Sequence, residues 1–117
     1  MMPQPVIDLP AFEEIKASMG PDFIGEIVAA YCAETPLLLA RLQQAFAEVD
    51  HETFRMIAHS IKSSSRSLGA LPFAQTAREL EALGKAENLS AEASAGVQAL
   101  LAAYPFVAQA LRALCHD

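Results

Sequence analysis

Phe54-Arg55-Met56-Ile57-Ala58-His59-Ser60-Ile61-Lys62-Ser63-Ser64-Ser65-Arg66-Ser67-Leu68-Gly69 is the stretch on which the fold turns. Placed on an α-helix at about 100° per residue, it separates into two faces. Phe54, Ile57, Ile61, Ser64 and Leu68 make the apolar or small-residue stripe that a bundle core needs. With His59 as the zero mark, Arg55, Lys62, Ser63 and Arg66 fall within roughly 60° of it. The spacing predicts a helix that buries one side and presents a histidine among cations on the other.

Imidazole is a nitrogen nucleophile with an unperturbed pKa of about 6.5, and neighbouring cations favour its neutral form. The same cations would stabilise an incoming phosphoryl group. The charge pattern isolates this stretch. From Thr53 to Arg78 there is no Asp or Glu, and Arg55, Lys62, Arg66 and Arg78 are all basic. Lys16, Arg41, Lys85 and Arg112 share the rest of the chain with all 14 acids, for a net charge of −6. A local basic patch on an acidic protein suits a phosphate or a partner with an acidic pocket. The net charge argues against a general nucleic-acid or anionic-membrane surface.

Working outward, the helical spacing of three and four repeats along the chain. Residues 1–7, with Pro3 and Pro5, read as a flexible lead-in, and 8–117 as one helical domain. Asp8 caps a short helix with Pro10 in its first turn and Phe12, Ile15 and Met19 on its apolar side, stopped by Gly20-Pro21. A long helix follows through Ile24, Ile27, Val28, Tyr31, Leu38, Leu42, Phe46 and Val49. Pro36 inside it removes a hydrogen bond to Cys32, which predicts a kink rather than a break. Asp50 begins the His59 helix and Gly69 ends it. Pro72 opens a fourth helix with Phe73, Ala77, Leu80 and Leu83 inward and Gly84 weakening its end. Ser90 caps the last, which runs through Val97, Leu100, Leu101, Tyr104, Ala108, Leu111 and Leu114 and bends at Pro105. No strand-like alternation occurs. The expected class is all-α: an antiparallel up-and-down four-helix bundle with an additional short N-terminal helix.

At 117 residues the chain can bury a core without disulfides or metal. Cys32 and Cys115 lack metal-ligand spacing and point to a reducing, cytoplasmic setting. The N-terminus lacks signal-peptide character and no apolar run reaches 18 residues, so a soluble protein without membrane contact is expected. Met1 favours a free-standing protein, and a monomer is the simpler expectation. Five glycines at positions 20, 25, 69, 84 and 96 cannot form a phosphate-binding loop, so no ATP site is expected. Glu48 and His51 have Glu-x-x-His spacing, but without a second copy a metal site is disfavoured. His51 reads as a solvated residue and His116 as incidental. Ser64 and Ser65 face the core side, where packing is the better reading than nucleophilic chemistry. Phe12, Ile15, Met19, Phe23 and Met56 are candidate core residues.

The segment Ala58, His59, Ile61, Lys62, Ser64, Ser65, Leu68, Gly69, Ala70 resembles the central motif of the histidine-containing phosphotransfer (HPt) domain of two-component phosphorelays. Asp50 before the helix, Leu80-Glu81 after it, and the long helix from Gly20 to Phe46 extend the likeness over nearly the whole chain from Asp8. The resemblance implies that His59 accepts a phosphoryl group from a receiver-domain aspartate and passes it to another receiver. It implies that Lys62, one turn on, supports the phosphoryl oxygens. Arg55, Ser63, Arg66 and Met56 are then candidate phosphate or partner contacts, and apolar residues left exposed near His59 form a docking rim. Ser63 departs from the family's usual glycine and would either crowd docking or donate to phosphate. No cofactor is expected on this chain; the receiver supplies the magnesium. The protein is then a phosphocarrier rather than an autonomous kinase. A non-catalytic helical adaptor for an acidic partner is the alternative from a different class.

Overall fold

The computed structural model describes residues 5–115. His116 lies outside that range. Five helices follow one another: α1 (Leu9–Met19), α2 (Pro21–Ala47), α3 (His51–Ser67), α4 (Leu71–Lys85) and α5 (Ala91–Cys115). Among the described residues there is no strand. Helices α2 to α5 each pack on the next, and α5 returns to α2, which closes a four-membered ring around one core. The all-α bundle with a short leading helix is therefore the observed architecture.

The helix ends follow from their sequences. Asp8 accepts from the Ala11 amide at 3.3 Å and opens α1; Asp50 accepts from the Thr53 amide at 3.1 Å and opens α3. Hydrogen bonds from Thr53 hold the Asp50 carboxyl below its ordinary value, so the cap is charged at neutral pH. At the far end of α3, the Gly69 amide donates to the Arg66 carbonyl and the Ala70 amide to the Ser65 carbonyl, at 3.1 and 2.9 Å. This reverse turn needs a left-handed residue, and Gly69 supplies it at φ 82°. The turn also receives α1: the Asp8 amide donates to the Gly69 carbonyl at 2.8 Å.

Several expectations are corrected. The lead-in is anchored at its last residue, because Ile7 is buried in the core beside that turn. Val49 does not extend the α2 stripe; it leaves the helix at φ 55° and is exposed, while Leu39 is buried. Met19 and Phe23 are also exposed, at the junction where Gly20 turns the chain. The uninterrupted apolar runs are short, yet α2 and α5 are each long and apolar enough on average to cross a membrane. Here they pack on one another within the bundle.

Pro36 has no amide hydrogen for the Cys32 carbonyl, and α2 continues through it. That carbonyl instead accepts from the Tyr104 hydroxyl of α5 at 3.0 Å, so a defect in one helix becomes a tie to another. Gly84 does more than weaken the end of α4. A Cβ there would lie 3.0 Å from Phe54 Cδ1 and 3.2 Å from the Arg55 backbone, so the missing side chain lets α4 approach α3 closely. This approach sets the distance between α3 and the α4 residues that face His59.

Candidate functional site

His59 sits in the middle of α3, on the side away from Phe54, Ile57 and Ile61, which are all buried. Ala58 beside it is buried against the bundle and fixes the rotation of the helix. The imidazole remains 53% exposed. Met56, Ser60, Ser63 and Arg66 are exposed around it, and Lys62 and Arg55 are partly covered.

The decisive contact comes from another helix. Glu81 of α4 reaches across so that Oε2 lies 2.7 Å from His59 Nδ1 and Oε1 lies 2.8 Å from Lys62 Nζ. Glu81 is 20% exposed and Lys62 22%, so the bridge is largely shielded from solvent. Burial pushes the Glu81 carboxyl up, but hydrogen bonds from Lys62 and His59 outweigh it and hold the group below its ordinary value. An ionised carboxylate only accepts hydrogen bonds, so Nδ1 carries the proton in this contact. In the neutral ring the lone pair is then on Nε2.

This corrects the picture of a histidine surrounded by cations alone. The absence of acids between Thr53 and Arg78 holds along the sequence, not in space, because Glu81 enters from the neighbouring helix. Arg55 is likewise engaged. It pairs with Glu52, one turn back on α3, at 2.5 Å, which raises its guanidinium pKa and holds the Glu52 carboxyl down. It is less available for a phosphate than its position in sequence suggested. Lys62 is present beside His59 but arrives already partnered.

The serines divide sharply. Ser60 and Ser64 donate back to the Met56 and Ser60 carbonyls, a local exchange that leaves no nucleophile prepared. Ser65 is fully buried and lies 2.6 Å from the Tyr31 hydroxyl of α2. Burial pushes Tyr31 up to about 12, although hydrogen bonds from Ser65 and Thr35 oppose the shift. The Ser63 hydroxyl takes part in no hydrogen bond among the described residues. His51 is not simply solvated, since its Nδ1 is buried without a partner. No cluster of three potential metal ligands occurs among the described residues.

The apolar rim is only partly where the sequence suggested. Met56 is exposed one turn from His59. Tyr31 meets Ser65 across the antiparallel pair, so Phe23 lies about 12 Å of helix rise beyond that contact while His59 lies about 9 Å on its other side. Exposed Leu37 of α2, which sequence reading missed, is at the height of His59.

A family model described as Hpt domain matches residues 26–113. The chain is similar in structure to the crystal structure of histidine-containing phosphotransfer protein B (HptB) from Pseudomonas aeruginosa PAO1, with a TM-score of 0.89 at 21% sequence identity. The match covers 97% of each chain. No curated protein matches the chain significantly.

Proposed function

Since the chain belongs to the Hpt family and is a histidine phosphotransfer protein of phosphorelays, we propose that His59 is its phosphoacceptor and Nε2 the accepting atom. The observation that carries this reading is the Glu81 bridge: Nδ1 is held by a carboxylate, which leaves Nε2 as the unengaged nitrogen of a half-exposed ring. The Nε2 lone pair attacks the phosphorus of a receiver's aspartyl phosphate, the bond from phosphorus to the aspartate oxygen breaks, and the aspartate leaves as a carboxylate. The ring gains positive charge as it does so. Glu81 stabilises that charge from 2.7 Å without taking the proton. Lys62 offsets the charge of Glu81 and, by turning from it, supports the phosphoryl oxygens. Donation to the next receiver runs the same steps backward.

Partners of this kind are receiver domains. The receiver contributes the magnesium and the acidic pocket; this chain contributes a nucleophile held in register by packed helices. Met56 and Leu37 are apolar contacts proposed for docking, with Arg66 and Ser63 beside them and Arg55 a weaker candidate because of its ion pair. The unit proposed to act is the domain 8–117, as a monomer in the cytoplasm, without nucleic-acid or membrane contact. Two free cysteines suit that compartment. Incubation with a phosphorylated receiver should label the protein in an acid-labile form, and His59→Gln should abolish the label. Undiminished labelling of His59→Gln would overturn the assignment.

A further inference from the structure

We propose that the cleft between α3 and α4 formed by Lys62, Arg66, Gln75 and Arg78 binds a phosphate-class oxyanion at a position distinct from the nucleophile. The cleft holds about 210 Å³, with Leu71 and Ala74 completing its lining, and His59 does not line it. Three cations and one side-chain amide line it, and no carboxylate does. Lys62 is tied to Glu81, but neither Arg66 nor Arg78 enters an ion pair among the described residues. Like charges brought together by two helices repel one another, and a bound dianion relieves that repulsion.

The donor set selects the class of ligand. Two guanidinium groups, an ammonium and an amide offer more donors than the two oxygens of a carboxylate can accept, whereas a tetrahedral phosphate presents oxygens in several directions. The volume corresponds to roughly seven waters at about 30 Å³ each, enough for a phosphate group with part of its hydration. Apolar Leu71 and Ala74 reduce water's competition on one side. The adjoining cleft, about 330 Å³ and lined in part by Arg55, Lys85 and Glu81, contains a carboxylate and is the poorer anion site. Lys62 and Arg78 line both clefts, and Lys62 also holds Glu81. An anion in the first cleft therefore competes with Glu81 for Lys62. That consequence rests on the reading of His59; the binding itself does not.

The test is an NMR titration of the ¹⁵N-labelled full chain with inorganic phosphate, at ionic strength held constant with sodium chloride, and in parallel with phenyl phosphate. Saturable shifts are expected at the Gln75 side-chain amide and at the Nε–H groups of Arg66 and Arg78. Arg78→Gln should weaken the response at least tenfold with an unchanged melting temperature, and His59→Gln should leave it intact. Tighter binding of phenyl phosphate would support a phosphate carried on a larger molecule; tighter binding of inorganic phosphate would support the free ion. Shifts that track chloride without saturating, or saturation that survives the folded Arg66→Gln/Arg78→Gln double variant, would overturn the proposal.

Discussion

Glu81→Gln is the substitution that most directly probes how the site would prepare the proposed nucleophile, His59. Glu81 accepts from His59 Nδ1 at 2.7 Å through one oxygen and from Lys62 Nζ at 2.8 Å through the other. Glutamine keeps the shape but has a single acceptor oxygen and no charge, so either His59 or Lys62 loses its partner. Hydrogen bonds to charged groups contribute about 1.5–3 kcal/mol and neutral ones about 0.5–1.5 kcal/mol. Substitution therefore removes roughly 1–1.5 kcal/mol of support for the charge that grows on the ring during attack. At about 1.36 kcal/mol per decade, phosphoryl uptake should slow about tenfold. Glu81 is largely covered but the imidazole is 53% exposed, so solvent screening holds this estimate toward its lower end. The assay is single-turnover transfer from a phosphorylated receiver, quenched under alkaline conditions that preserve the phosphoramidate. A rate within twofold of the parent, in a variant with unchanged melting, would refute the proposed role.

Lys62→Ala should slow transfer by a similar factor of about ten, from the loss of one charge-assisted contact, while circular dichroism shows an intact fold. Ser65→Ala leaves the buried Tyr31 hydroxyl without its 2.6 Å partner and should cost about 1–3 kcal/mol in urea unfolding; Tyr31→Phe/Ser65→Ala should recover most of that loss. Tyr31 is raised to about 12 in the folded protein against about 10 unfolded, so the unfolded chain releases its proton first. Stability present below pH 10 should thus fall by about 2–3 kcal/mol between pH 10 and 12, and Tyr31→Phe should flatten this decline. Gly84→Ala forces a Cβ to within 3.0 Å of Phe54 and should cost about 1–3 kcal/mol in thermal or urea unfolding. It should also slow transfer, because separating α3 from α4 lengthens the Glu81 bridge.

Much of this architecture is written in local pattern. The stripe of Phe54, Ile57 and Ile61 fixes which face of α3 is buried, and Asp8, Asp50 and Gly69 mark helix ends by chemistry that acts within a few residues. What periodicity omits is the rotational phase of one helix against another. Glu81 lies 22 residues from His59, and Tyr31 lies 34 from Ser65; both contacts exist only once the bundle closes. The same holds for the Tyr104 tie to Cys32, though Pro36 signalled in advance that a carbonyl would need a new donor. Gly84 reads as a helix weakener by propensity, but its value lies in the close approach of α4 to α3. Val49 breaks the apolar register because the turn before Asp50 requires a left-handed residue, and no glycine stands there.

The proposed phosphoacceptor is one atom, Nε2 of His59. Phosphorylating the ¹⁵N-histidine-labelled protein from a receiver and recording phosphorus–nitrogen correlations under alkaline conditions identifies the modified nitrogen directly. A single phosphohistidine is expected at residue 59, bonded through Nε2, with Nδ1 retaining its proton toward Glu81. A phosphoryl group on Nδ1, or on His51 or His116, would contradict it.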